Sequence, residues 1–151
     1  MRCALVLVVL AGVANADDYE VAAGGEVGVG PLLSGGVTAR FAYSANHADA
    51  IILRGGTGGI VFVDSDDGST HQYYDALIGY RHRWSTIFVD AAIGVMTHFE
   101  PRVTAEFGTP QGAMWTTGPW FDADVGVRLG PVDLAIGLNG PSIGARAELV
   151  L

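Results

Sequence analysis

The residues of this chain with the chemistry to act on a substrate are its histidines and a run of carboxylates. Asp64-Ser65-Asp66-Asp67-Gly68-Ser69-Thr70-His71 collects acid, hydroxyl and imidazole in one stretch, the set that activates a nucleophile in acyl transfer or hydrolysis. His98 and Glu100 open a second polar stretch. Neither matches a nucleophile motif, and the solvated polarity of a loop accounts for both, so no catalytic residue is assigned. Asp64, Asp66 and Asp67 also suggest calcium. Gly68, however, stands where the next ligand of a calcium loop belongs, and the closing glutamate is missing. His47, His71, His82 and His98 lack zinc spacing, and Cys3 is the only cysteine. No metal and no cofactor are expected.

A second charged set has a different logic. Glu20, Glu26, Arg40, Asp75, Arg81, Asp90, Asp122, Asp124, Arg128, Asp133, Arg146 and Glu148 recur at alternate positions, with glycine and alanine between them and apolar residues on the other parity. Alternation of this kind is a strand with two unlike faces. The final stretch is the clearest case: Ile143, Ala145, Ala147, Leu149 and Leu151 oppose Ser142, Gly144, Arg146 and Glu148. Small residues beside acids and arginines suit a cramped interior in which charges face one another, and glycine is a poor choice for an open, water-facing sheet.

The same rhythm lays out eight strands: Tyr19–Val29, Val37–Ser44, Ala48–Val63, Tyr73–Arg83, Thr86–Thr97, Phe121–Arg128, Val132–Leu138 and the closing Ser142–Leu151. Gly55-Gly56-Thr57-Gly58-Gly59 divides the third into two apolar runs. It reads as one long strand with a glycine kink or bulge, because a hairpin there would make the count odd. Tight connections at Asn46-His47, Arg83-Trp84 and Gly130-Pro131 fall on one side. The long ones, Asp64–Gln72 and His98–Gly118, fall on the other, with shorter turns at Pro31–Gly35 and Asn139–Pro141. Short inner turns and long outer loops are the habit of barrels in an outer membrane. Aromatic girdles are expected at Tyr19, Tyr43 and Trp84 below and at Phe62, Tyr73, Phe99 and Trp120 above.

The first sixteen residues hold one early positive charge, Arg2, an apolar run from Cys3 to Val13 and the cleavage-type ending Ala14-Asn15-Ala16. Residues 1–16 therefore read as a cleavable signal peptide and 17–151 as one barrel domain. No segment approaches the roughly 20 apolar residues of a spanning helix. Formal net charge is −8, and all eight basic residues are arginine without a basic cluster, which argues against nucleic acid as a partner. Charged residues make up only 16% of the chain, too few for an ordinary water-facing surface.

On these residues the chain resembles the small eight-stranded outer-membrane barrels, the OmpA-type transmembrane domain and its loop-poor relatives. Signal, strand count, alternation and the closing Ala147-Glu148-Leu149-Val150-Leu151 carry the resemblance. It implies an all-β, antiparallel up-and-down transmembrane barrel, exported to the outer membrane, monomeric, and in contact with lipid, lipopolysaccharide and the outer-membrane assembly machinery. Members commonly end in an aromatic residue, where this chain has Leu151. The expected function is non-enzymatic: a side-chain-filled polar lumen under extracellular loops whose Asp64, Asp66, Asp67, His71, Phe99, Phe107 and Trp115 meet surface partners. Two alternatives are a soluble periplasmic lipocalin-like carrier of a small apolar ligand and an enzyme resembling those that modify lipid A. The carrier would need the opposite polarity, apolar within and polar without.

Overall fold

A computed structural model of the protein describes residues 18–62, 70–100 and 114–151. Eight strands follow one another: β1 Tyr19–Val29, β2 Leu32–Ser44, β3 Asp49–Phe62, β4 Thr70–Trp84, β5 Ile87–Glu100, β6 Met114–Leu129, β7 Val132–Asn139 and β8 Ser142–Val150. Each pairs antiparallel with its neighbours in sequence, and β1 pairs with β8, which closes the barrel. Alternating residues thereby point to the inside and the outside of one wall. The end carrying Tyr19 and Leu151 is called lower here, and the opposite end upper.

Closure fixes a stagger. From Glu26, partners run through Gly36, Gly58, Tyr73 and His98 to Thr116 on β6. The opposite way round, through Arg146 and Ala135, arrives on the same strand at Gly126, ten residues away. That shear tilts the strands and draws side chains distant in sequence onto one level.

β3 is a single strand, and its register against both neighbours is unbroken through Gly55–Gly59, with no bulge. The glycines serve proximity instead. A Cβ on Gly58 would stand 2.2 Å from the Gly35 carbonyl oxygen, and one on Gly56 would stand 2.7 Å from Asp75 Oδ2. Several strands outrun their expected bounds at the upper end, notably β2, β4, β5 and β6. Backbone pairing continues past the point where apolar alternation stops, as in Thr97↔Thr117 and Phe99↔Trp115. The β4–β5 turn is Ser85-Thr86 rather than Arg83-Trp84, with Ser85 at φ 57°.

Polarity is inverted relative to a soluble domain. Val27, Val29, Ile51, Ile78, Ile93, Ile136 and Ile143 are exposed on the outer face, whereas Arg40, Arg81 and Glu148 are among the most completely buried side chains. A smaller apolar cluster shares the interior: Ala42, Ala50, Ile52, Leu77 and Ala92 pack against Trp120.

Candidate functional site

The interior charges come from all eight strands and meet because the shear brings them level. In the lower half, Arg40 uses every guanidinium nitrogen: Nε donates to Glu148 Oε2 at 2.8 Å, Nη1 to Glu20 Oε1 at 2.7 Å and Nη2 to Asp133 Oδ2 at 2.9 Å. Arg81 grips Asp90 with two bonds of 2.7 Å, reaches Asp133 at 2.6 Å and lies 3.9 Å over the Phe88 ring. Arg128 donates twice to Asp133, at 2.6 and 2.8 Å, and to both oxygens of Glu20. Asp133 therefore accepts from three arginines while only 2% exposed. Forked bonds of this kind are strong and directional, and they offset the cost of removing the ions from water.

The upper half is arranged differently. Arg146 donates to Asp90 Oδ2 at 2.8 Å and Asp122 Oδ2 at 3.1 Å, and stands 2.8 Å from Asp124 Oδ2. Arg54 pairs with Asp122, and its Nη1 is 3.7 Å from Asp124. Above them Glu26 accepts from the Tyr73 hydroxyl at 2.8 Å. Asp75 Oδ1 is buried with no hydrogen-bond partner, as are Arg54 Nη1 and Asp124 Oδ2. Four arginines (Arg40, Arg81, Arg83, Arg128) serve four acids (Glu20, Asp90, Asp133, Glu148) below, but among the described residues only Arg54 and Arg146 stand with the four acids above, and their ion pairs there go to Asp122 and Asp124 rather than to Glu26 or Asp75.

All twelve charged lumen positions singled out from the sequence face the interior, Glu20, Asp75 and Arg128 being less completely buried than the rest. That set omits Arg54, which pairs with Asp122, and Arg83, which reaches Glu20 Oε2 at 3.3 Å, as well as Thr38 and Tyr73. Parity along β3 and β4 was the available signal.

The upper aromatics require correction. Tyr73 is 3% exposed and packs with Ile60 and Met96, while Phe62 and Trp120 adjoin that cluster inside the mouth instead of forming a girdle. Trp120 Nε1 donates to Asn139 Oδ1 at 2.7 Å. The outer rings are Tyr74, Trp115 and Phe121, with Phe99 5.2 Å from Trp115. Residue parity, not nearness to a strand end, decides which ring faces outward.

The expected loop residues separate likewise. His71 is a buried β4 residue whose Nδ1 lies 3.0 Å from the Phe99 carbonyl, and Phe99 and Trp115 are strand residues of β5 and β6. Hydrogen bonding between strands has carried the wall beyond the apolar zone and taken them out of the loops. Asp64, Asp66, Asp67 and Phe107 lie outside the described residues.

At the lower rim Asp49 accepts from Tyr80, lies 2.6 Å from His82 Nδ1 and takes a 2.7 Å bond from Asn46, so His82 is tied to the β2–β3 turn. Among the described residues no three carboxylates, imidazoles or thiols converge as metal ligands.

Solved structures with this arrangement exist. Ail, the attachment invasion locus protein of Yersinia pestis, superposes with a TM-score of 0.59 at 14% identity, over 87% of this chain and 94% of Ail. The fold is that of a small outer-membrane β-barrel. Ail in a phospholipid bilayer nanodisc matches the barrel at TM-score 0.54, 14% identity, 87% of this chain and 99% of Ail. The N-terminal barrel of Pseudomonas aeruginosa OprF matches at TM-score 0.53 and 12% identity, over 88% of this chain and 96% of OprF's domain. The resemblance read from the sequence is thus met by eight-stranded barrels of the expected kind. No protein-family model and no curated protein matches the barrel's sequence.

Proposed function

We propose that the protein is an exported, non-enzymatic outer-membrane barrel that contributes to envelope structure and presents its upper end to the cell surface. The observation that carries this reading is the inverted polarity: isoleucine and valine on the outer face, Arg40, Arg81 and Glu148 within. Only hydrocarbon makes such an exterior favourable, and only a closed barrel can cross it with every strand paired. In this reading the lower end faces the periplasm, cleavage follows Ala16, the barrel is monomeric, and its neighbours are lipid and lipopolysaccharide, with the assembly machinery acting on it during insertion. The apolar cargo of a soluble carrier has no place in an interior filled by ion pairs.

The lumen is read as a structural core. Eight strands enclose an interior that side chains can fill, here with ion pairs, and the upper cavity between Glu26, Tyr73, Trp120 and Asn139 measures about 10 Å³, near the room of one water molecule. A second structure of Ail holds sucrose octasulfate, a heparin analogue. A chain of net charge −8 is poorly matched to such a polyanion, so none is proposed as partner here.

Fractionation tests the location. The protein is expected in the sarkosyl-insoluble envelope, with heat-shifted gel migration and an N-terminus at Asp17; release by osmotic shock would refute it. In planar bilayers no large, selective conductance is expected, and observing one would refute the filled lumen.

A further inference from the structure

The barrel wall is uneven. β7 and β8 have 8 and 9 residues, whereas β4, β5 and β6 have 15, 14 and 16. Strands inclined at about 40–45° rise about 2.4 Å per residue along the barrel axis. With the ten-residue shear included, the lower ends of all eight strands fall within about 5 Å of one level, so the whole inequality lies at the upper end. There pairing between β6 and β7 stops at Asp122↔Asn139, and the Gly140-Pro141 turn closes β7–β8, while β5 and β6 stay paired up to Glu100↔Met114.

The heights differ accordingly. β7 spans about 17 Å along the axis, short of the roughly 25 Å apolar band of outer-membrane barrels, whereas β6 spans about 36 Å. On the tall wall the aliphatic band is broken by Thr97 and Thr117, hydrogen-bonded to each other at 2.9 Å on the outer face, and above them the strands continue to an aromatic pair, Phe99 and the outward Trp115. On the low wall Leu138 and Ile143, 49% and 61% exposed, run straight into the turn. Gly140 N–H is satisfied by the Phe121 carbonyl, but a turn cannot pair all its polar groups, and hydrocarbon penalises each one left. Shallow apolar grooves flank this wall below the turn, one lined by Val89, Ala123, Val125, Ile136, Leu138 and Ile143, another floored by Gly25, Gly35, Ala145 and Ala147.

We propose that the β7–β8 wall is a membrane-thinning face: the acyl chains of the upper leaflet lie shortened in its grooves, leaving the Gly140-Pro141 turn at the level of the headgroups. This rests on the membrane reading above. Mismatch costs a fraction of a kcal/mol per Å, which a few neighbouring lipids can absorb.

The test uses the mature barrel in dilauroyl- and dioleoyl-phosphatidylcholine vesicles, with an environment-sensitive fluorophore on Pro141→Cys, Leu134→Cys or Thr97→Cys and heat-shifted migration as the check of folding. The Pro141 probe is expected to keep the same water-exposed emission in both lipids while the Leu134 probe stays in hydrocarbon. A blue shift of the Pro141 probe in the thicker vesicles overturns the proposal. So does a blue shift of the Thr97 probe there, which would mean that the barrel tilts instead. If the Leu134 probe is water-exposed throughout, the membrane reading itself has failed.

Discussion

The lower and upper halves of the lumen are built from the same residue types to opposite effect. Below, acids and arginines are equal in number, and Asp133 is shared by Arg40, Arg81 and Arg128. Above, four acids lean on Arg54 and Arg146, and polar atoms of Asp75, Asp124 and Arg54 lack hydrogen bonds. The half nearer the chain termini is thus a saturated network, in which each charge is held by several others. The half nearer the mouth carries surplus negative charge beside a tyrosine, a tryptophan and a small cavity. Loss of a charge is therefore expected to cost more in the first than in the second.

The contrast is broken most directly at Asp133. Asp133→Ala removes the one carboxylate that Arg40, Arg81 and Arg128 share, leaving each with fewer acceptors than donors, and breaking buried pairs in this way costs about 3–5 kcal/mol. The expected result is a clear fall in the urea midpoint of the folded barrel in detergent, with partial loss of heat-shifted migration. A midpoint close to the parent's would mean that the lower network is not what holds the wall together.

Space provides the next test. Gly56 faces Asp75 so closely that an added Cβ meets the carboxylate at 2.7, 3.2 and 3.2 Å and nothing else nearer. Gly56→Ala should therefore destabilise by about 1–3 kcal/mol through overpacking. Because the obstacle is one side chain, Asp75→Ser in the same molecule should return most of the loss. The double-mutant cycle reads that coupling, and additive effects would locate the strain in the backbone instead.

The fold was largely legible in the sequence because strand parity is a local property. Ile143 through Leu151 declares its two faces without help from the rest of the chain, and so does Tyr19 through Val29. The run Gly55–Gly59 remained open to a kink or bulge, since its role depends on Gly35, Gly36 and Asp75 in neighbouring strands. Tyr73 and Trp120 were misplaced because closeness to a strand end was weighed above parity. Membership of the lumen could be read residue by residue, but partnership could not. Arg40 and Asp133 are 93 residues apart, and only the shear of the closed barrel makes them neighbours. The upper reach of β4, β5 and β6 was hidden for another reason: above the apolar band, strands are held by backbone pairing and leave no hydrophobic rhythm to follow.

The finest discrimination comes from Asp75, where the surplus acid of the upper half predicts a change of sign. Its Oδ1 is buried without a hydrogen bond, so the charge there receives little in return for its desolvation. Asp75→Asn keeps the shape, removes the charge and adds an N–H donor that Glu26 or a water molecule can accept. In a saturated network such a substitution destabilises, as it must at Asp133, because the arginines lose their counter-charge. In an acid-rich one it relieves repulsion, and the urea midpoint should stay level or rise, by about 1 kcal/mol at most. The pair of asparagine variants, Asp75→Asn and Asp133→Asn, measured under one set of conditions, is thus a direct reading of the charge imbalance. If both fall by similar amounts, the upper acids are as fully compensated as the lower ones, and the distinction between the two halves is lost.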